Sequence, residues 1–311
     1  MANPQTISRI AIIGFGEVGG IFGTDFAGQG IDVSVFDILL ASERHRQQML
    51  TKARTCDVRA ADSLRDCVHN ADLVISAVTA SSAMDVAREA GPILHREQLF
   101  LDMNSVSPET KRRAAASIER DSGKGGARFV EAAVMAAVPA RRLKVPMLLG
   151  GVHAAAATDL LRSLGMNTTA LSDRIGVASA VKMCRSVLIK GLEALAVECL
   201  FAARQYGADD AVLESLAATY PSMGWKDRLP DYLISRVAEH GHRRAAELRE
   251  VAQTLAEVAV EPSMALAAAH LQEQLADALA ESNFPLPPAG QFSWRRLADA
   301  LRPRRQYHPA E

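Results

Sequence analysis

In the first half of the chain the apolar positions gather into short continuous runs: Arg9 to Ile13, Asp32 to Phe36, Leu73 to Val78, Leu99 to Met103, Phe129 to Val134 and Met147 to Leu149. Segments of helical character separate most of them. Such runs predict strands buried on both faces, which means a mostly parallel sheet covered by helices. After about Asp173 the strand runs stop, and Ala-, Leu- and Glu-rich helical segments continue to Ser282. Ser172, Asp173 and Gly176 punctuate the start of a long helix, so we expect an α/β domain over residues 1–173 and an all-α domain over 174–311. The stretch from Asn283 onward is proline-rich, with one short amphipathic helix expected around Ser293 to Leu301. No internal repeat of fixed period is evident.

The junction of the first two apolar runs, AIIGFGEVGGIFGTDFAGQGIDVSVFD from Ala11, carries recognisable chemistry. Gly14 suits the tight turn after a strand, Gly16 lets backbone N–H groups approach a pyrophosphate, and Gly19 lets the next helix pack closely on the sheet. With Phe15, Glu17 and Val18 they form a phosphate cradle at a helix N-terminus, the mark of a Rossmann-type dinucleotide-binding unit. Asp37 stands 23 residues after Gly14, at the end of the second run. A carboxylate there accepts from ribose hydroxyls and repels a 2′-phosphate, which favours NAD over NADP. Arg44 and Arg46, a turn or two beyond, could meet a 2′-phosphate and keep NADP open.

Composition narrows the setting. A chain of 311 residues exceeds what one core usually serves. A net charge of -1 gives no overall attraction to nucleic acid or anionic membrane. No apolar run reaches bilayer-spanning length, and MANPQTISR leads into the first strand without a signal-peptide core, so a cytoplasmic protein is expected. Cys56, Cys67, Cys184 and Cys199 lack metal-ligand spacing and read as packing residues in a reducing compartment.

The order of motifs resembles the β-hydroxyacid dehydrogenase and 6-phosphogluconate dehydrogenase superfamily, in a less characterised branch. ADLVISAV at Ala71–Val78 matches its fourth strand, and the resemblance implies that Val78 and Thr79 lie beside the cofactor. DMNSVSP at Asp102–Pro108 resembles the family's D-x-x-N-S element, implying that Asn104 touches nicotinamide ribose and substrate, with Ser105 nearby. The family's P-V-S-G-G substrate loop is replaced by Ala133-Val134-Met135-Ala136-Ala137, so Met135 offers an apolar wall where serine and glycine would hold a carboxylate. Arg141 and Arg142 either replace that anion contact or form a solvated pair.

By the same resemblance, GVASAVKMCRSVLIKGLEALAVECL from Gly176 is the family's interdomain helix and Lys182 its proton-transfer lysine. With Lys182 at zero on a helical wheel, Ser186 falls at about +40°, Arg185 at about −60° and Glu193 at about +20°, with apolar residues on the flanks and back. So narrow a polar stripe is expected to line an enclosed cleft. Lys182-Met183-Cys184-Arg185-Ser186 replaces the family's K-x-x-N-N, and Arg185 and Ser186 suit an anionic substrate.

The helix expected after a break at Gly241 resembles the family's K-D-L-x-L-A helix, with Glu247 roughly where its aspartate would stand. There His242, Arg243 and Arg244 either reach a substrate or make a charged helix start. Tyr220, Trp225 and Tyr232 surround a proline-punctuated loop that either caps the cleft or packs in the ordinary way. The tail with Trp294, Arg295 and Arg296 is expected to embrace a second subunit of a homodimer, since apolar residues in a tail are costly to expose. The leading functional expectation is an NAD(P)-dependent dehydrogenase acting on the CH–OH group of a small anionic β-hydroxy acid, with no metal. Reduction of a C=N bond, as in imine reductases of the same architecture, and NAD sensing without turnover are the alternatives.

Overall fold

The first two apolar runs form β1 (Arg9–Ile13) and β2 (Asp32–Phe36), joined through α1 (Glu17–Ala27) and paired in parallel with Ile13 beside Phe36. The computed structural model describes residues 7–120, 126–282, 284–287 and 291–301, in two units, Met1–Met183 and Cys184–Glu311. In the first, the chain continues through α2 (Glu43–Thr55), β3 (Arg59–Ala60), α3 (Leu64–Val68), β4 (Leu73–Ser76), α4 (Ala83–Ala90), β5 (Leu99–Asp102) and α5 (Pro108–Ile118). It then runs through β6 (Arg128–Val134), β7 (Pro146–Gly150), α6 (Ala154–Ser163) and β8 (Asn167–Ser172). The eight strands form one sheet in the order β3-β2-β1-β4-β5-β6-β7-β8, parallel except for β7 against β6.

Both faces of the sheet are covered, which explains the unbroken apolar runs. Ile10, Ile12, Leu73, Ile75, Leu99 and Leu101 point to the side of α1, α2 and α6, where Phe22 and Phe26 meet edge to face with centroids 6.0 Å apart. Ala11, Ile13, Val74, Phe100 and Phe129 point to the side of α3, α4 and α5. Strand order reverses between β1 and β4, so the loops after β1, β4 and β5 gather at the carboxyl ends of adjacent strands, where open α/β sheets bind ligands.

Two strands escaped the run-based reading. Only two residues make β3, and β8 is polar and largely exposed, with just Thr168 fully buried, so neither has an apolar run to betray it.

Helix α7 (Val177–Tyr206) passes from the first unit into the second, which also holds α8 (Asp209–Thr219), α9 (Leu229–Ala256), α10 (Ser263–Ser282) and α11 (Trp294–Ala300). The break expected at Gly241 is a kink inside α9 at His240, where φ is -139°. Gly241 itself is needed for packing, because a Cβ there would lie 2.5 Å from Gln272 O on α10. Trp294, Leu297 and Ala298 of α11 are buried in this unit's own core with Ile234 and Val237. The apolar cost that motivated a subunit-embracing tail is therefore met within the chain, and residues 302–311 of that tail lie outside the described residues.

Candidate active site

The glycine loop has the geometry its sequence implies. Gly14 adopts φ +94°, and a Cβ there would lie 2.4 Å from Ala77 O after β4. A Cβ at Gly19 would lie 2.0 Å from Gly14 O, so the helix can approach only without one. Gly16, at the N-cap of α1, opens onto space with no heavy atom within 4 Å of its ideal Cβ position. A cradle closed on two sides and open on the third, at a helix N-terminus, fits a dinucleotide pyrophosphate. Phe15 is buried, Val18 half-buried and Glu17 exposed.

Two charged groups fix this loop. Asp37 Oδ2 accepts from Phe15 N–H at 2.8 Å and its Oδ1 from Leu39 N–H at 3.0 Å. Lys52 of α2 donates to Phe15 O at 2.6 Å and Gly16 O at 2.8 Å. Lys52 was not singled out in the sequence, where it looks like any exposed helical lysine. Arg46 donates to Leu40 O and pairs with Asp62 at 3.0 Å, and Arg44 is exposed.

The loops after β4 and β5 are tied together by a buried polar network. Asn104 is 5% exposed; its Oδ1 accepts from Val78 N–H at 2.8 Å and its Nδ2 donates to Ser76 Oγ at 2.9 Å. Asp102 Oδ1 accepts from Asn104 N–H at 2.9 Å and meets Lys111 Nζ at 2.9 Å, both charges being buried. Lys111 also donates to Asp102 O at 2.9 Å. Thr79 is exposed, and its hydroxyl is within 3.0 Å of that of Ser81. Ser105 is half-buried, and Lys182 Nζ donates to its hydroxyl at 2.5 Å. Lys182, Ser105, Asn104 and Val78 are thus brought together within the first unit.

Other candidates stand differently. Met135 is half-buried at the end of β6, with its N–H bonded to Pro146 O. Arg142 is held by Asp25 of α1 at 2.6 Å, and Arg141 is exposed. Arg185 is exposed and Ser186 half-buried. The polar stripe does not line one cleft as expected. Glu193 is 2% exposed, and Arg244 donates to its Oε2 through both Nε and Nη2. Beside it, Lys190, passed over in the sequence, is buried and pairs with Glu247 at 2.9 Å. Burial raises the Glu193 carboxyl above its ordinary range and lowers the Lys190 ammonium. Arg243 also pairs with Glu247, at 2.7 Å, and His242 lies 3.5 Å from Asp277. Trp225 is buried, whereas Tyr220 and Tyr232 are more than half exposed. Among the described residues no cluster of side chains could hold a metal ion.

Fold and loop geometry together have the form of a Rossmann-type dinucleotide-binding domain. Residues 9–172 match the NAD-binding domain of 6-phosphogluconate dehydrogenase, and the chain belongs to that family. Residues 203–275 match a domain of unknown function, DUF1932. A conserved hypothetical protein from Sinorhizobium meliloti 1021 superposes with a TM-score of 0.76 at 32% identity, over 96% of this chain and 97% of that one. A 3-hydroxyisobutyrate dehydrogenase from Pseudomonas aeruginosa is 26% identical over 78% of this chain and 81% of its own length. The Mycobacterium tuberculosis 3-hydroxyisobutyrate dehydrogenase shares the fold, with a TM-score of 0.72 at 15% identity over 96% and 100% of the two chains. The chain is thus a hydroxyacid-dehydrogenase-like protein with an NAD(P)-binding domain, and no helix among its described residues is long and apolar enough to cross a membrane.

Proposed function

We propose that this chain is an oxidoreductase that moves a hydride between NAD and the CH–OH carbon of a small anionic β-hydroxy acid, with Lys182 as general acid and base. The observation that carries the reading is the Lys182 amine 2.5 Å from Ser105 Oγ, on the loop that follows β5 and beside the Asn104 staple. Hydride acceptance is the chemistry that bound NAD supplies. Ser105 holds the lysine amine by a hydrogen bond, and the amine takes the substrate hydroxyl proton in oxidation and returns it in reduction. Val78 and Thr79 flank the nicotinamide end, and Asn104 keeps their loop in place. Met135 forms an apolar wall beside the substrate. Asp37 supports NAD over NADP, since its carboxylate stands at the end of β2 where a 2′-phosphate would have to enter.

A homodimer is part of the proposal. Leu188 and Leu195 of α7 are 73% and 52% exposed, and apolar side chains on one helix face favour association. Mass in solution checks this, and a monomer would contradict it.

The test is a screen of β-hydroxy acids, 3-hydroxyisobutyrate among them, with NAD and with NADP, following nicotinamide absorbance. Turnover of at least one hydroxy acid, faster with NAD, is expected. Reduction of cyclic imines without activity on any hydroxy acid would replace this reading with C=N reduction, and cofactor binding without turnover of either class would replace it with a sensor.

A further inference from the structure

Glu131 lies in the middle of β6, and strand alternation turns it to the same face as Phe129. It is 0% exposed. Its Oε1 accepts from Gly176 N–H at 2.7 Å and from Ala178 N–H at 3.1 Å, and its Oε2 has no hydrogen-bond partner among the described residues. Gly176 stands immediately before α7 and Ala178 in its first turn, so these N–H groups are among the orphan donors that every helix start must satisfy. A strand carboxylate therefore caps the helix that carries Lys182.

The surroundings are shaped to admit this carboxylate. Gly150 lies opposite Glu131 in the register of β6 and β7, and a Cβ there would be 2.3 Å from Oε1. Gly176 adopts φ +98°, so α7 starts from a left-handed residue whose N–H faces the carboxylate. Burying a carboxyl group with one oxygen unpartnered among the described residues is costly, and the two backbone donors and the positive helix end offset that cost. A neutral apolar residue would pack on this face at no such cost. What it could not do is hold the helix start.

We propose that Glu131 is a positioning residue for Lys182. By anchoring Gly176 and Ala178 it fixes the rotation of the first turn of α7, and so aims the amine at Ser105 Oγ. A slip of one residue in that turn would rotate Lys182 by about 100° and carry the amine off the Ser105 hydroxyl. The inference rests on the reading of Lys182 as the proton-transfer group for its catalytic consequence, though not for its geometry.

Full-length Glu131→Leu and Glu131→Gln are compared with the unaltered chain and with Lys182→Ala. Glutamine keeps a carbonyl acceptor for the two N–H groups; leucine keeps volume alone. Three quantities are read: amide exchange in the peptide covering residues 176–182, the rate at which an amine-reactive reagent modifies Lys182 as a function of pH, and kcat against KM for the cofactor. In Glu131→Leu the peptide should lose protection, Lys182 should be modified with a shifted pH profile, and kcat should fall by about 10- to 100-fold with KM for the cofactor unchanged. Glu131→Gln should restore all three toward the unaltered values. If Glu131→Leu fails to fold, Gly150→Ala displaces the same carboxylate and is expected to give the same three changes. Unchanged exchange and labelling in the folded variant would overturn the proposal even if Lys182→Ala is inactive. Changed exchange and labelling with unaffected turnover would keep Glu131 as the anchor and overturn only the role given to Lys182.

Discussion

Lys111 is 1% exposed, and its ammonium reaches both the carboxylate and the carbonyl oxygen of Asp102. The pair sits beneath Asn104, whose amide bridges β4 and the loop after it. Removing one member of a buried pair leaves the other uncompensated, so Lys111→Met should destabilise the fold by roughly 3–5 kcal/mol in denaturant unfolding. An unchanged midpoint would mean that Asp102 is already satisfied without it. The pair was legible in principle, because Lys111 lies at helical spacing with Ala114, Ala115 and Ile118 on the buried side of α5. It was missed because a lysine near a helix start ordinarily faces water. The backbone demands at Gly14 and Gly19 are visible in the sequence as a spacing, since a positive φ or a close approach admits few residues but glycine.

Helix α7 shows where reading by element fails. A wheel through Lys182 gathers Ser186, Arg185 and Glu193 into one stripe, yet Glu193 belongs to a buried cluster with Arg244, Lys190 and Glu247, the last three contributed from α9 and from α7 itself. Periodicity reports which side of a helix a residue occupies but not what lies against it. Glu193→Leu alone should cost roughly 3–5 kcal/mol by leaving Arg244 buried and unpaired, whereas Glu193→Leu with Arg244→Leu should cost much less. Comparable losses in the two, measured by urea unfolding, would argue that the pair itself is strongly stabilising. The cluster also has a pH signature. Glu193 has its value raised on folding, so its contribution to stability is complete below the ordinary value of 4.5 and is lost as pH rises through the folded value. The double variant, lacking that carboxyl, should show a shallower decline over the same range.

At the scale of the whole chain, the six apolar runs each became a strand of the sheet, and the switch in strand order set the loops after β1, β4 and β5 side by side. That much follows from burial on both faces and from the glycine fingerprint. The antiparallel placement of β7 and the strand β8 did not, because one antiparallel strand buried within the sheet carries the same apolar run as its parallel neighbours, and β8, exposed at the sheet edge, carries none. The meeting of Lys182 with Ser105 joins residues 77 positions apart, and no spacing rule reaches across such a separation; the family resemblance implied a role for each but not their contact. The proposed hydride transfer turns on that lysine. The most direct measurement is Lys182→Ala, with NADH affinity followed by fluorescence and single-turnover hydride transfer followed by absorbance on the best hydroxy acid of the screen. Unchanged NADH binding with transfer slowed by roughly 10²- to 10⁴-fold is the expected result. Transfer at the unaltered rate, with the amine gone, would contradict the account.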